Sequence, residues 1–249
     1  MKRIFYLILA LPLFISSCES TPESYFTADT IEPEVGQKIL FNNESHNASK
    51  YEWDFGDGFV SNEANPVHIY TGTGTYTVVL IVTSKNGQED ESSLTVTVMI
   101  PTLLEIEVLE WGTYKTIAGA SIILYPSISN WEAQTNKAVE GFTDSDGVTV
   151  FSGLNPIVYY VDVWEATHDN YQLASEDVGF IRTPEILPHK INRFVAWVDI
   201  VQHTKGTART TRDVIVKKIE RKAIDIELPV IKTDSDNWQD LLNRSIKIN

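Results

Sequence analysis

The 249-residue chain holds one cysteine, Cys18, and two methionines. One thiol closes no intrachain disulfide, so every core has to hold without a covalent staple and leans on packing instead. Catalytic signatures are equally scarce. No Gly-x-Ser-x-Gly elbow and no His-Glu-x-x-His pair occurs, and the five histidines (His46, His68, His168, His189 and His203) stand far apart. Positive charge is thin: 20 lysines and arginines face 34 aspartates and glutamates, for a net charge of −14. The deficit is uneven. Residues 18–100 hold 13 acidic and 3 basic side chains, residues 101–200 hold 14 and 5, and residues 201–249 reverse the balance with 7 and 10. The first two sections repel polyanions at ordinary salt, which argues against nucleic acid as a partner. After the start of the chain, no apolar run approaches the roughly 20 residues of a membrane-spanning helix. What is abundant is apolar and aromatic surface, 43% and 10% of residues. That supports packed cores, and the length suits two small domains better than one.

The first residues read as an export signal. Lys2 and Arg3 are followed by an apolar stretch over 4–15, broken at Pro12, and then by the small pair Ser16-Ser17. Ile15-Ser16-Ser17-Cys18 resembles a bacterial lipobox. That resemblance implies cleavage before Cys18 and lipid on its thiol and new amino group, leaving residues 1–17 as the signal peptide. Several acyl chains, at about 0.8 kcal/mol per buried CH₂, would make such anchoring effectively permanent. Residues 18–23 then form a polar tether, in which Glu19 and Glu23 resemble the acidic surface-export signals of Bacteroidetes-type lipoproteins or serve as a plain solvated linker. The expected location is the outer membrane, lipid-anchored, at the cell surface.

Tyr51, Trp53 and Phe55 alternate with Lys50, Glu52 and Asp54, the period-two signature of a half-buried strand, and Gly56-Asp57-Gly58 turns the chain back. Asn65-Pro66-Val67-His68-Ile69-Tyr70 and Gly74-Thr75-Tyr76-Thr77-Val78 follow in order. Together these three motifs resemble the PKD (polycystic kidney disease) domain family. The resemblance implies an immunoglobulin-like β-sandwich over 24–100, used as an extracellular interaction or spacer module. Further on, Tyr76, Val78, Leu80 and Val82 share one face, Asn86-Gly87 marks a hairpin, and Leu94, Val96 and Val98 close the domain.

Pro101 breaks the pattern. Leu104, Ile106 and Val108 then alternate with Glu105 and Glu107, and are followed by Gly119-Ala120 before an apolar strand ending in Tyr125. The turn Thr143-Asp144-Ser145-Asp146-Gly147, a strand through Phe151, Leu154-Asn155-Pro156 and a tyrosine-rich strand to Trp164 complete the order. This sequence of motifs resembles transthyretin-like, carboxypeptidase-regulatory-like domains, which implies a second β-sandwich over 101–201. The stretch 168–188 matches nothing in that family. Residues 202–249 are expected to add a β-hairpin, from Val214, Val216 and Ile219 with Ile224, Ile226 and Leu228, and a short helix. Ser235 or Asp236 would cap that helix, and Trp238, Leu241 and Leu242 would share a face that packs on the second domain. The fold class is therefore all-β: two tandem sandwiches with a short C-terminal extension.

Candidate chemistry is modest. Asp144-Ser145-Asp146-Gly147 looks like the start of a calcium loop but lacks the distal glutamate, so an ordinary hairpin turn is the better reading. Asp54 and Asp57 are expected to cap turn amides. No catalytic residue, metal site or cofactor is assigned. The binding candidates are Trp111 and Tyr114, in the turn after the first strand of the second domain, and Trp131 in the long insertion 126–141. Loop aromatics stack on sugars or anchor protein hot spots, or else fold back over their own domain. The expected function is non-catalytic: binding a glycan or protein ligand at the envelope, or spacing a binding face from the membrane. The alternative is a docking subunit of a larger outer-membrane adhesion or glycan-capture assembly, with a hydrolase accessory or enzyme ranked third.

Overall fold

Period-two alternation becomes β-strand wherever it is sustained. The computed structural model describes residues 21–201 and 237–248. Cys18, its leader and the hairpin expected within 202–236 lie outside the described residues. The chain divides into two units, the first reaching Thr97 and the second starting at Val98, with the short stretches Glu34–Gly36 and Thr71–Thr73 grouped with the second.

The first unit contains β1 (Phe26–Ala28), β2 (Lys38–Asn43), β3 (Lys50–Asp54), β4 (Val60–Ser61), β5 (Val67–Ile69), β6 (Gly74–Thr83) and β7 (Glu89–Val98). They form two sheets, ordered β1-β2-β5 and β4-β3-β6-β7. Inward residues of both layers meet around Trp53, which sits opposite Leu80 in the β3–β6 ladder. Its ring contacts Phe26 at 4.9 Å, Phe41 at 5.8 Å and Phe55 at 6.4 Å, and its Nε1 donates to the Glu63 carbonyl at 2.8 Å. The aromatic chain continues outward. Phe55 stacks on His68 at 4.1 Å, His68 meets Tyr70 edge-on, and the Tyr70 hydroxyl donates to the Phe55 carbonyl. His68 is thus a core residue tied to Asp57 at 2.8 Å. Asp54 and Asp57 accept from the Gly56 and Phe59 amides. Gly56 is required there: its φ is +78°, and a Cβ would stand 2.7 Å from the Thr77 carbonyl oxygen.

The second unit contains β8 (Leu103–Glu110), β9 (Ser121–Tyr125), α1 (Ile128–Ala133), β10 (Val139–Phe142), β11 (Val148–Ser152), β12 (Tyr160–Glu165), β13 (His168–Asp169), α2 (Tyr171–Glu176), β14 (Ile191–Ile200), α3 (Trp238–Arg244) and β15 (Ile246–Lys247). The strand order is β10-β9-β12-β13-β14-β8-β11-β15. The two halves of this series fold over one core, where Leu104, Ile106 and Val108 of β8 meet Ile122 and Leu124 of β9, Val161 and Val163 of β12, and Ala196 and Val198 of β14. Among the described residues only two-residue β13 joins the halves, so the described sheet is split along most of its length. Outer faces are covered piecemeal. Helix α1 buries Trp131 against Ile123 and Tyr125, and α3 buries Leu241 against Leu103 and Val150. The cap of α3 is Asn237, whose side chain accepts from the Asp240 amide, rather than Ser235 or Asp236. Arg244 at its end reaches Asp144 at 2.9 Å and Glu105 at 3.6 Å. The 143–147 segment is a tight turn, with Asp144 accepting from the amides of Asp146 and Val148; the expected hairpin is corrected, because β10 pairs with β9 and β11 with β8 rather than with each other.

Truncating Trp53 to alanine empties the centre of the first unit and strands the Glu63 carbonyl. We expect a loss of about 3–5 kcal/mol in urea titrations, against within about 0.5 kcal/mol for Phe59→Ala, whose side chain is 64% exposed. Equal losses at both positions would contradict the packing described.

Candidate binding groove

Strand β14 runs parallel to β8 across eight register positions, Ile191 opposite Leu103 through Val198 opposite Glu110. Side chains alternate, so Phe194, Ala196 and Val198 enter the core while Arg193, Val195 and Trp197 line the outer face. Trp197 packs there with Leu109 and Leu173, and with the half-buried Trp111, Phe180 and Val195. Beside this row lies an open groove of about 770 Å³. One wall is the outer row of β14 and the other is the stretch 177–185, which contributes Phe180, Arg182 and Glu185. Arg193 pairs with Glu105 at 3.3 Å. Arg182 is exposed and has no carboxylate partner among the described residues. The groove is therefore aromatic and aliphatic along one side, with the charged side chains Asp177, Arg182, Glu185 and Arg193 also lining it, the mixture of apolar body and few polar anchors typical of ligand sites.

The aromatic corner above the groove is held by a buried ionic clamp. At the end of β8, Glu110 accepts from the Thr113 hydroxyl at 2.8 Å and meets His168 Nε2 at 3.1 Å. The other ring nitrogen of His168 faces Glu165 at 3.1 Å, and Glu165 also accepts from the Thr167 amide. Each carboxylate thus has one ring nitrogen of His168 within hydrogen-bond distance. The Thr113 bond holds the Glu110 carboxyl below the usual glutamate range, with His168 adding to it. Burial pushes Glu165 up, but hydrogen bonds from the Thr167 amide and His168 outweigh it and leave its carboxyl at about 2. Across the β13–β14 ladder the sign reverses, because burial and then Asp169 raise Asp199.

The clamp fixes the turn that carries two of the sequence candidates. Trp111 donates its amide to the Val198 carbonyl at 2.8 Å, and its ring meets Trp197 and Phe180 edge-on, each at 5.2 Å. Tyr114, at φ +61°, is 45% exposed and lies edge-on to Trp197 at 5.5 Å. The structure thus brings Trp111 and Tyr114 together over Trp197. It does not bring Trp131 to them. That side chain is 2% exposed, donates from Nε1 to the Val161 carbonyl at 3.2 Å and packs on Tyr171. Trp131 is core, so its expected role on a binding surface is corrected: the insertion forms helix α1, and the apolar face of that helix has to be buried. Phe180 and Arg182, the groove residues that sequence reasoning missed, lie in 168–188, where no periodic pattern announces them.

Acidification tests the clamp. Depressed carboxyls contribute stability that is full above the ordinary value of 4.5 and is lost as pH falls through the folded value, about 2 for Glu165. The melting temperature of the second unit, followed by tryptophan fluorescence, is expected to drop between pH 5 and about pH 2. Glu110→Gln flattens that slope; Asp199, raised, has the opposite sign and does not account for it. A melt independent of pH over this range would remove the clamp.

The family profile described as PKD domain matches residues 21–99. Collagenase ColQ1 of Bacillus cereus (strain Q1) is 53% identical over 57 residues, covering 23% of this chain and 6% of that protein. Pre-pro-metalloprotease PrtV of Vibrio cholerae serotype O1 is 43% identical over 73 residues, 28% of this chain and 8% of its own. Among solved structures, the PKD1 domain of Vibrio anguillarum Epp is 34% identical and covers 33% of this chain and 98% of that one, with a TM-score of 0.30. The chain spans less than a tenth of the length of these curated relatives. The matched profile stops at residue 99, so the groove lies beyond it.

Proposed function

Through residues 21–99 the chain belongs to the PKD domain family, and from that premise we propose that the protein is a non-catalytic, lipid-anchored envelope protein. In this reading the groove of the second unit is its ligand face, open to a protein or glycan. The PKD domain between Cys18 and that unit serves as the spacer. One observation carries the reading: an open groove of about 770 Å³ with an aromatic corner at Phe180 and Trp197 and a solvent-facing guanidinium at Arg182. The corner is pre-organised, because Trp111, Tyr114 and Trp197 brace one another and the clamp below them fixes the turn. Pre-organisation lowers the ordering cost of binding. The histidine and carboxylates of the clamp are committed to each other and do not line the groove, which favours recognition over acid–base chemistry. No helix among the described residues is long and apolar enough to cross a membrane. Anchoring is assigned to the lipobox at Cys18, and the cell-surface face of the outer membrane to the acidic tether behind it.

Two measurements test this. Metabolic labelling with radioactive palmitate is expected to mark the wild type and to fail for Cys18→Ala, which leaves the membrane fraction. On arrays of glycans and peptides, Phe180→Ala together with Arg182→Ala should abolish at least one signal of the intact protein while shifting its melting temperature by less than a few degrees. Unlabelled wild-type protein overturns the anchor, and array signals untouched by the double variant overturn the groove.

A further inference from the structure

The backbone lining the groove is more specific than its side chains. In the β14–β8 ladder the Leu103 amide donates to the Lys190 carbonyl and the Trp111 amide to the Val198 carbonyl. Successive peptide groups of a strand point to opposite sides, so the even-numbered residues of β14 address β8 and the odd-numbered residues point away. On that far side β13 pairs with Asp199 and Ile200 alone. The amides and carbonyls of Val195 and Trp197 therefore face the groove, and no described residue bonds to them there.

The opposite wall has the same character. The Val161 amide donates to the Ile181 carbonyl at 2.7 Å, and the Thr183 amide donates to the Tyr159 carbonyl at 2.9 Å. Arg182 sits between them in the bridge to Tyr160, so its own amide and carbonyl are turned away from β12, on the side where it lines the groove. Two backbone edges thus border one slot, Val195 and Trp197 on one side and Arg182 on the other, and no described residue bonds to their outward donors and acceptors. Open edges of this kind are templates for an added strand, and extended peptides that dock on them take affinity from main-chain bonds and specificity from alternate side chains.

Granted the groove as the binding face, we infer that its occupant is an extended polypeptide segment of a partner protein, inserted as a strand between β14 and the 181–183 edge. The stretch from Arg193 to Trp197 accommodates about five residues at roughly 3.3 Å each. Apolar side chains at alternate positions meet Phe180, Val195 and Trp197. An acidic side chain among them meets Arg182, which supplies the charge complementarity for the partner. A sugar matches the aromatic corner but does not match peptide donors and acceptors at strand spacing along β14 with those of Arg182 opposite.

The test uses the full chain in detergent and synthetic octapeptides that alternate valine with threonine and carry one aspartate. Hydrogen exchange is read at the amides of Arg182, Val195 and Trp197. Binding is expected to slow exchange at these amides, and N-methylation of alternate peptide nitrogens is expected to weaken affinity on the order of ten-fold or more, because donors go while side chains stay. Val195→Pro removes one outward donor without touching the β8 ladder and should weaken the same peptides; the N-methyl series stands if that variant fails to fold. Equal affinity of methylated and unmethylated peptides overturns strand insertion. So does slow exchange at these amides in the free protein, which means that the slot is already filled by the chain itself or by a second copy. Array binding to glycans alone, lost in the Phe180→Ala and Arg182→Ala double variant, overturns the peptide and keeps the groove.

Discussion

Among the described residues, strand β14 is paired along its length on one side only. Its eight-residue parallel register with β8 is the longest pairing described in the second unit, while on its other side the described residues pair with it only through the two residues of β13. Everything distinctive about this unit depends on that asymmetry. The core beneath is complete, because Phe194, Ala196 and Val198 are packed whether or not the far edge is paired. The outer row Arg193, Val195 and Trp197 is left beside a slot, and α2 with the 178–180 turn covers only its Trp197 end. Closing the sheet would have required the 181–183 stretch to pair with β14; instead it pairs with β12 through Ile181 and Thr183. The gap is a consequence of which edge that stretch chose.

The first unit solves a different problem, that of a small sandwich without a disulfide. A ring-to-ring chain from Phe26 through Trp53, Phe41 and Phe55 to His68 and Tyr70 fills the space between its sheets. Each aromatic buries a large apolar area, and edge contacts of this kind add about 0.5–1.5 kcal/mol per pair. The polar atoms in the chain find partners, Trp53 Nε1 on Glu63 and the Tyr70 hydroxyl on Phe55, and burial drives the Tyr70 phenol well above its usual range. Several such contacts are comparable with the 2–4 kcal/mol of one disulfide. Rigidity without cystine suits a spacer.

Most of the first unit was legible in the sequence because alternation and burial coincide there: Tyr51 to Phe55 and Tyr76 to Val82 read the same way in pattern and in structure. In the second unit β8 was equally clear, since Glu105 and Glu107 mark the outer face against Leu104 and Ile106. The candidate site was legible only in part. Trp111 and Tyr114 were found because an aromatic turn follows a strong strand. Trp131 was misplaced because six residues of helix are too few to show a 3.6-residue period, so an inward side chain looked like a loop residue. Phe180, Arg182 and the open β14 edge were invisible for a deeper reason. Pairing partners are a property of topology, and a strand's side chains carry no record of whether its second edge is occupied.

An open edge is also a hazard, since it invites indiscriminate pairing with other chains. Here the edge is recessed rather than bare. The 177–185 stretch rises opposite it, Phe180 and the aromatic corner close one end, and the Arg193–Glu105 pair sits at the other. In the proposed complex a single extended segment reaches Val195 and Trp197 between those walls. Selectivity then follows from geometry before any side chain is read. In that proposal the inserted strand collects bonds from β14 and from Arg182, whose guanidinium favours a segment carrying negative charge. The walls that border the edge would then also define what it is able to hold.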